Sequence, residues 1–196
     1  MILLQKKYQK NISRLKDLEI HRDELKLAIT FDDGYADTLH IATPILQELK
    51  LPYTVFVATD YVKNKKEGFL SRRELKELSS YANVDIGSHT ASHPYLTTLS
   101  DQQIIEELRS SKEFLEDLLA KEITLFAYPN GDYNQRVRDL VSEAGYKIAR
   151  NSKFTTNKII KDELQVSSSE IWNTDSIEVF QDKIDGYWDW LSTVQR

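Results

Sequence analysis

The sequence predicts an α/β fold in which short β-strands alternate with helices around a parallel sheet, either open or curled into a barrel. Two observations lead to this prediction. Runs of strand length that are rich in β-branched and aromatic residues recur along the chain, and stretches with helical periodicity lie between them. The five predicted strands are 26–31, 53–58, 84–87, 123–127 and 146–150. Strands that alternate with helices in this way form parallel sheets with right-handed crossovers.

Capping sequences mark where two of the helices begin. Glu74 follows Ser71 by three residues, and Gln103 follows Ser100 by the same interval, so a capping box is expected at each serine. After Ser100 the apolar residues keep one helical face, which predicts a buried stripe. Its members are Ile104, Ile105, Leu108, Leu115, Leu118 and Leu119.

Two further helices are predicted in the last third of the chain. One covers 134–144 and ends at Gly145, and the other begins near Asp175. The last helix is expected to carry Val179, Phe180, Ile184, Tyr187, Trp188 and Leu191. All three tryptophans, Trp172, Trp188 and Trp190, fall in this tail, and helical spacing favours core packing over a sugar-stacking platform.

Composition narrows the class of protein. With 196 residues, 40% of them hydrophobic and 29% charged, the chain is expected to form one domain, 1–196, with its own core. No apolar run is long enough to span a membrane, and the start lacks the apolar core of a secretory signal, which favours a cytoplasmic location. A net charge of −5 with scattered lysines gives no footprint for nucleic acid. No glycine-rich phosphate loop is present, which argues against a nucleotide cofactor.

Two short segments can together supply a metal site. The first, Thr30-Phe31-Asp32-Asp33-Gly34, and the second, Ser88-His89-Thr90-Ala91-Ser92-His93, both follow predicted strands. The chain has no cysteine, so a metal would be held by His, Asp or Glu. One carboxylate and two imidazoles leave a coordination position open, as a catalytic site requires, and the second aspartate is then free to act as a base. Taken alone, each segment has an ordinary interpretation as a turn or a chance spacing.

Several ordered motifs resemble the polysaccharide deacetylases of the NodB-homology group, carbohydrate esterase family 4. The likeness covers about 27–150. It comprises Thr30-Phe31-Asp32-Asp33-Gly34-Tyr35, the stretch from Pro44-Ile45-Leu46 to Phe56-Val57, Ile86-Gly87-Ser88-His89-Thr90 with His93, and Phe126-Ala127-Tyr128-Pro129-Asn130-Gly131. Members associated with exopolysaccharide and lipopolysaccharide biosynthesis are similar in the Ala-Tyr-Pro segment.

The resemblance implies an irregular (β/α) barrel with fewer than eight parallel strands. It also implies that Asp33, His89 and His93 bind one divalent metal, with zinc expected and cobalt or nickel also suitable. In the family the metal polarises the acetamide carbonyl and activates a water, while the residue matching Asp32 is the general base. Asn130 matches the position whose backbone N–H donates to the oxyanion. The expected substrate contacts are Tyr35, Tyr128, Pro129 and Asp132.

The chain departs from the family pattern in three places. Ala127 occupies the position where family members commonly have an arginine that orients the base, and Asn130 replaces an aromatic residue. The usual general acid is a late histidine, but no histidine follows His93; Asp132 is a candidate acid. His21 and His40 lie outside the motifs, and a surface or capping role is expected for His40, which begins a predicted helix.

The expected function is hydrolysis of the N-acetyl group of a hexosamine in a bacterial surface glycan. Two alternatives remain open from the sequence. A non-catalytic glycan-binding protein on a deacetylase scaffold is consistent with the missing arginine and histidine. Hydrolysis of another amide, such as a formamide or a cyclic imide, is also consistent, because a fold and its ligands do not define the substrate.

Overall fold

A computed structural model of the chain describes residues 11–18, 26–153, 155 and 162–189. Its centre is a six-stranded sheet in which all neighbouring strands are parallel and the spatial order follows the chain order. The strands are β1 (Ile29–Phe31), β2 (Tyr53–Val57), β3 (Val84–Ser88), β4 (Leu125–Ala127), β5 (Ile148–Asn151) and β6 (Val166–Ser167). The sheet curls into a half-barrel, which confirms the predicted α/β class and the irregular barrel with fewer than eight strands.

Helices connect the strands. In the described residues they are α1 (Thr43–Glu48), α2 (Thr59–Lys63), α3 (Arg72–Ser80), α4 (Asp101–Leu119), α5 (Gln135–Glu143) and α6 (Ile177–Ile184), with a π-helical turn at Thr38–Ala42 before α1. Both predicted capping boxes are present, at Ser71 before α3 and at Ser100 before α4. None of these helices is long and apolar enough to cross a membrane.

Both faces of the sheet are buried, as is usual for parallel strands. Side chains alternate between the faces, so Val55 and Val57 pack in the large cluster beneath the helices, whereas Phe56 points into the barrel. The interior cluster is small, and its buried members are Leu15, Phe56, Leu125, Ala127 and Val166. Gly87 lies opposite Phe56 in the register, and a Cβ at Gly87 would come within 2.5 Å of the Phe56 ring. The barrel interior therefore depends on glycine at this position.

The C-terminal part differs from the sequence-based expectation. Helix α6 ends at Ile184, because Gly186 follows with a φ of 82° that an L-residue rarely adopts. Tyr187 is therefore beyond the helix and 71% exposed, and Trp172 is 50% exposed, so the prediction that the aromatic tail is core was wrong for these two residues. Trp190 and Leu191 lie outside the described residues. The short strand β6 and the single-turn helix α2 were not predicted.

Candidate metal centre and active site

The candidate site lies at the carboxyl ends of β1 and β3. Asp32 and Asp33 follow β1 directly, and His89 is the residue after β3. Asp33 has a φ of 67° and Gly34 a φ of 82°, so the chain turns sharply at this pair. Aspartate tolerates the left-handed conformation and glycine adopts it freely, which explains why this sequence can make the turn. The turn directs the two neighbouring carboxylates to different partners.

Asp33, His89 and His93 converge on one point. The Asp33 Oδ1 atom lies 3.5 Å from His89 Nε2 and 3.4 Å from His93 Nε2, and the two Nε2 atoms are 3.1 Å apart. Ligand atoms held about 2.0–2.2 Å from a tetrahedral zinc ion are separated by roughly 3.3–3.6 Å. The observed separations are therefore close to those that a shared cation requires.

Hydrogen bonds hold the imidazole of His89 and the backbone of His93. His89 is buried, and its Nδ1 donates to the carbonyl oxygen of Ala127 at 2.8 Å, which leaves the lone pair of Nε2 directed at Asp33 and His93. His93 adopts a φ of 63°, and its backbone N–H donates to Thr90 Oγ1 at 3.0 Å. Burial lowers the pKa of both rings below the ordinary value. Both imidazoles are therefore expected to be neutral near pH 7, the form that binds metal.

The donor set fits a divalent cation. The Asp33 Oδ1 atom is buried and has no hydrogen-bond partner among the described residues. An unsatisfied carboxylate oxygen that faces two neutral imidazole nitrogens is costly in the absence of a cation. Two imidazoles and one carboxylate suit zinc, cobalt or nickel. Asp33, His89 and His93 thus form a group that could hold a metal ion.

Asp32 lies beside these three residues, with its Oδ2 atom 4.0 Å from His89 Nε2, and the same oxygen contacts a residue that was not predicted from the sequence. Its Oδ2 atom forms an ion pair with Nη2 of Arg150, which comes from β5 and is 4% exposed. Burial lowers the pKa of Arg150 to about 10, and nearby Glu170 opposes this effect, so the guanidinium keeps its charge at neutral pH. A charged residue that directly follows Ile148 and Ala149 in a predicted strand was the signal that could have revealed it.

Glu107 is a second residue that the sequence analysis missed. It projects from α4 and accepts hydrogen bonds from three donors between the two histidines. Its Oε2 accepts from the backbone N–H groups of Ala91 at 2.9 Å and Ser92 at 2.8 Å, and its Oε1 accepts from Ser92 Oγ at 2.6 Å. The backbone of the His-x-x-x-His loop is therefore fixed by a helix that contributes no ligand.

The remaining predicted site residues have different placements. Tyr35 is half exposed beside Asp33, and burial together with the Asp33 carboxylate raises the pKa of its hydroxyl. Asn130, which departs from the family pattern, has a φ of 56°, a left-handed conformation that asparagine tolerates. Its exposed backbone turn lies after β4, near the other strand ends.

Tyr128, Pro129 and Asp132 are less available to a ligand. Tyr128 is fully buried, and its hydroxyl donates to the carbonyl of Leu164 at 3.0 Å; Pro129 is also buried. A substrate contact from the Tyr128 side chain does not fit this placement. The Asp132 carboxylate accepts from the backbone N–H and the hydroxyl of Thr97, each at 2.8 Å, and so connects two loops of the site. His40 contacts Glu74 at the surface at 2.8 Å, and His21 lies outside the described residues.

Sequence comparison now gives the family. The family model described as Polysaccharide deacetylase matches residues 20–149, about two thirds of the chain. The chain belongs to the polysaccharide deacetylase family. Asp32 and the Asp33, His89 and His93 group all lie within the matched range.

Individual relatives agree with this assignment. The protein YxkH of Bacillus subtilis (strain 168) is 31% identical over 120 residues, which are 61% of this chain and 42% of the relative. A peptidoglycan-N-acetylglucosamine deacetylase of Bacillus cereus is 33% identical over 133 residues, 66% of this chain and 57% of the relative. The chain thus spans about half the length of these relatives.

Solved structures agree as well. The polysaccharide deacetylase BC0361 from Bacillus cereus superposes with a TM-score of 0.77 at 28% identity, covering 92% of this chain and 59% of that structure.

Proposed function

We propose that this chain is a metal-dependent hydrolase that removes the acetyl group from N-acetylglucosamine units of a bacterial glycan. The bond broken is a carbon–nitrogen bond outside peptides. The observation that carries the proposal is the convergence of Asp33, His89 and His93 beside a second carboxylate, Asp32, whose Oδ2 lies 4.0 Å from His89 Nε2. The similar deacetylase of Bacillus cereus supports the choice of substrate.

The ligands would be Asp33, His89 and His93. A divalent cation bound there supplies Lewis acidity to the acetamide carbonyl and lowers the pKa of a water at the open position. The two imidazoles are neutral, so the Asp33 carboxylate is the one charged ligand of the three, and the cation would balance its negative charge. Zinc suits this donor set, and cobalt and nickel suit it too.

Asp32 is the proposed general base. It takes a proton from the water whose oxygen adds to the carbonyl carbon, and it returns that proton to the nitrogen as the carbon–nitrogen bond breaks. The products are acetate and the free amine of the sugar. Asp32 also serves as the acid because no histidine follows His93 and because the Asp132 carboxylate is occupied by Thr97.

The backbone N–H of Asn130 is the proposed donor to the oxyanion of the tetrahedral intermediate. A backbone donor does not depend on the type of side chain, so asparagine can replace the family's aromatic residue there. The half-exposed ring of Tyr35, beside Asp33, is the proposed contact for the sugar. Sugar rings stack on such partly exposed aromatic faces.

The test is release of acetate from N-acetylglucosamine oligomers by protein loaded with zinc, cobalt or nickel. We expect acetate and free amine in equal amounts, and we expect the release to stop when the metal is removed with a chelator. The control is His93→Ala, which should release no acetate. Saturable binding of the oligomers without acetate release would contradict hydrolysis and indicate a glycan-binding protein. Release of formate from a formamide without attack on acetamide would identify another amidase.

A further inference from the structure

Arg150 and Ala127 occupy paired positions on adjacent strands. The parallel register of β4 and β5 places Ala127 opposite Arg150. Residues opposite each other in a sheet point to the same face. Ala127 belongs to the interior cluster, and the Arg150 guanidinium lies 5.3 Å from the centre of the Phe56 ring in the same cluster. A guanidinium attached at either position would therefore enter the same part of the barrel interior.

The Arg150 guanidinium connects Asp32, the proposed base, to Ser168, the residue after strand β6. Its Nη2 contacts Asp32 Oδ2, the oxygen that lies 4.0 Å from His89 Nε2. Its Nη1 donates to Ser168 Oγ at 3.1 Å, and that hydroxyl donates to the carbonyl of Asn151 at 2.6 Å. The oxygen of Asp32 that faces the metal ligands is thus held from the opposite side by a group that is itself anchored.

Apolar packing by itself gives no reason for an arginine here. The residue is buried against apolar side chains, and its Nε has no hydrogen-bond partner among the described residues. Replacing a buried ion pair as a whole by apolar residues of similar volume is often neutral or stabilising, so such a pair is weak evidence for a purely structural role. A buried, incompletely satisfied arginine is therefore better explained by its contact with Asp32 than by packing.

We propose that Arg150 is the positioning residue for Asp32 and takes the place of the arginine that relatives commonly carry at the position of Ala127. The inference rests on the proposed function, in which Asp32 is the base. In this chain the guanidinium that contacts the base is on β5, at the position paired with Ala127 of β4. The alanine in the third motif consequently does not mark a loss of the deacetylase machinery.

The first test replaces Arg150 by methionine, which fills a similar volume without donors. For the metal-loaded protein we expect kcat to fall by about 10²-fold, because a misplaced base disrupts the reacting geometry, while KM and the bound metal stay unchanged. The control is Arg109→Met, the same substitution at a surface ion pair with Glu106, which should leave kcat unchanged. A crystal structure of Arg150→Met should show the Asp32 carboxylate turned from its wild-type position.

The second test returns the guanidinium to β4. In the double variant Ala127→Arg with Arg150→Met, we expect kcat to recover at least about tenfold relative to Arg150→Met alone. Full kcat in Arg150→Met, or an unmoved Asp32 in its crystal structure, would overturn the proposal. If Arg150→Met does not fold, Arg150→Lys carries the test: one ammonium in place of the two-pronged donor should lower kcat with KM unchanged, and full kcat would overturn the proposal.

The two proposals fail in different ways. If the wild-type protein releases no acetate, the proposed function fails. The position of Asp32 in the crystal structure of Arg150→Met still decides whether Arg150 holds it, since that readout needs no turnover.

Discussion

Asp32 and Asp33 are neighbours in the chain but have different surroundings. The left-handed φ of 67° at Asp33 directs its carboxylate towards His89 and His93, whereas Asp32 contacts Arg150. Two carboxylates in different environments can divide the roles of ligand and base between them. The left-handed backbone at Asp33 thus accompanies a difference in surroundings between the proposed ligand and the proposed base.

Replacing Asp32 by asparagine tests this division. We expect Asp32→Asn to bind metal like the wild type but to lose about 10²–10⁴-fold in kcat, because the amide keeps the shape and cannot take a proton. Metal content by elemental analysis and acetate release measure the two properties separately. Near-native turnover in Asp32→Asn would assign the base elsewhere, and loss of metal would show that Asp32 is a ligand.

Glu107 offers a second test at the residue scale. Removing its carboxylate in Glu107→Ala frees the N–H groups of Ala91 and Ser92 and loosens the loop between the two histidine ligands. We expect metal affinity to fall about tenfold or more, as for other groups that support ligands without binding the ion. Competition with a chelator measures it. The control is Glu106→Ala on the exposed side of the same helix; equal affinities for the two variants would contradict the role of Glu107.

At the scale of the elements, the N-terminal capping box of helix α3 makes a contribution to stability that depends on pH. The Glu74 carboxylate accepts the backbone N–H of Ser71 at 2.8 Å and contacts His40 at 2.8 Å. The hydrogen bonds with Ser71, and then His40, lower the pKa of Glu74 from 4.5 to about 2. A lowered carboxyl pKa means that the ionised cap stabilises the fold at pH values above the unfolded-state pKa. This contribution is lost as the pH falls through the folded-state pKa.

We therefore expect Glu74→Gln to lower the free energy of unfolding at pH 6, with a difference from wild type that shrinks as the pH falls from 4.5 towards 2. Urea unfolding at pH 6, 4 and 3 measures the difference. The exposed Glu77 of the same helix provides the control, and Glu77→Gln should stay within about 0.5 kcal/mol of wild type. A Glu74→Gln difference that is constant across this range would contradict the role of the ionised cap.

Strand β3 depends on a glycine that faces the barrel interior. A Cβ at Gly87 would lie 2.5 Å and 2.6 Å from two ring carbons of Phe56 and 3.0 Å from the carbonyl oxygen of Leu125. We expect Gly87→Ala to destabilise the protein by about 1–3 kcal/mol, the usual cost of overpacking. Chemical unfolding of the single variants and of Gly87→Ala with Phe56→Leu measures the coupling. If the changes in unfolding free energy of the two single variants were additive in the double variant, the Phe56 ring would not be the group that the new methyl group contacts.

At the scale of the whole molecule, the proposed metal ligands come from two distant segments. Asp33 follows β1 and the histidines follow β3, with β2 and helices α1–α3 between them in the chain. The unfolded chain does not hold these ligands together, so metal binding is linked to folding. Because both segments contribute ligands, a bound cation would connect the two loops that form the site.

We expect zinc at about 100 times its Kd to stabilise the folded protein by about 2.7 kcal/mol, which corresponds to a Tm increase of roughly 5–10 °C for a chain of this size. Thermal unfolding with and without metal measures the shift. His93→Ala should show no shift, whereas His40→Ala, which alters a surface histidine paired with Glu74, should keep it. The same shift in His93→Ala would place the metal elsewhere.

The features that could be predicted from the sequence are those that interactions between nearby residues control. Strand-length apolar runs predicted β1 to β5 to within a few residues, and the serines at 71 and 100 predicted where α3 and α4 begin, because propensity and capping act over a few residues. The two histidines and the aspartate pair were recognisable because each pair lies within one short segment that follows a predicted strand. The parallel sheet then brought them to one edge.

Only the tertiary structure revealed the partners of these groups. Arg150 reaches Asp32 because the register pairs β5 with β4 and because the sheet curls, and neither property is encoded in the residues next to Arg150. Glu107 reaches the His-x-x-x-His loop because helix α4 packs beside that loop, which is also a contact between distant segments. Tyr128 stands in a family motif yet is buried, because strand alternation and the neighbouring helices decide which face it occupies. Contacts between segments depend on register and curvature, which arise when the whole chain packs.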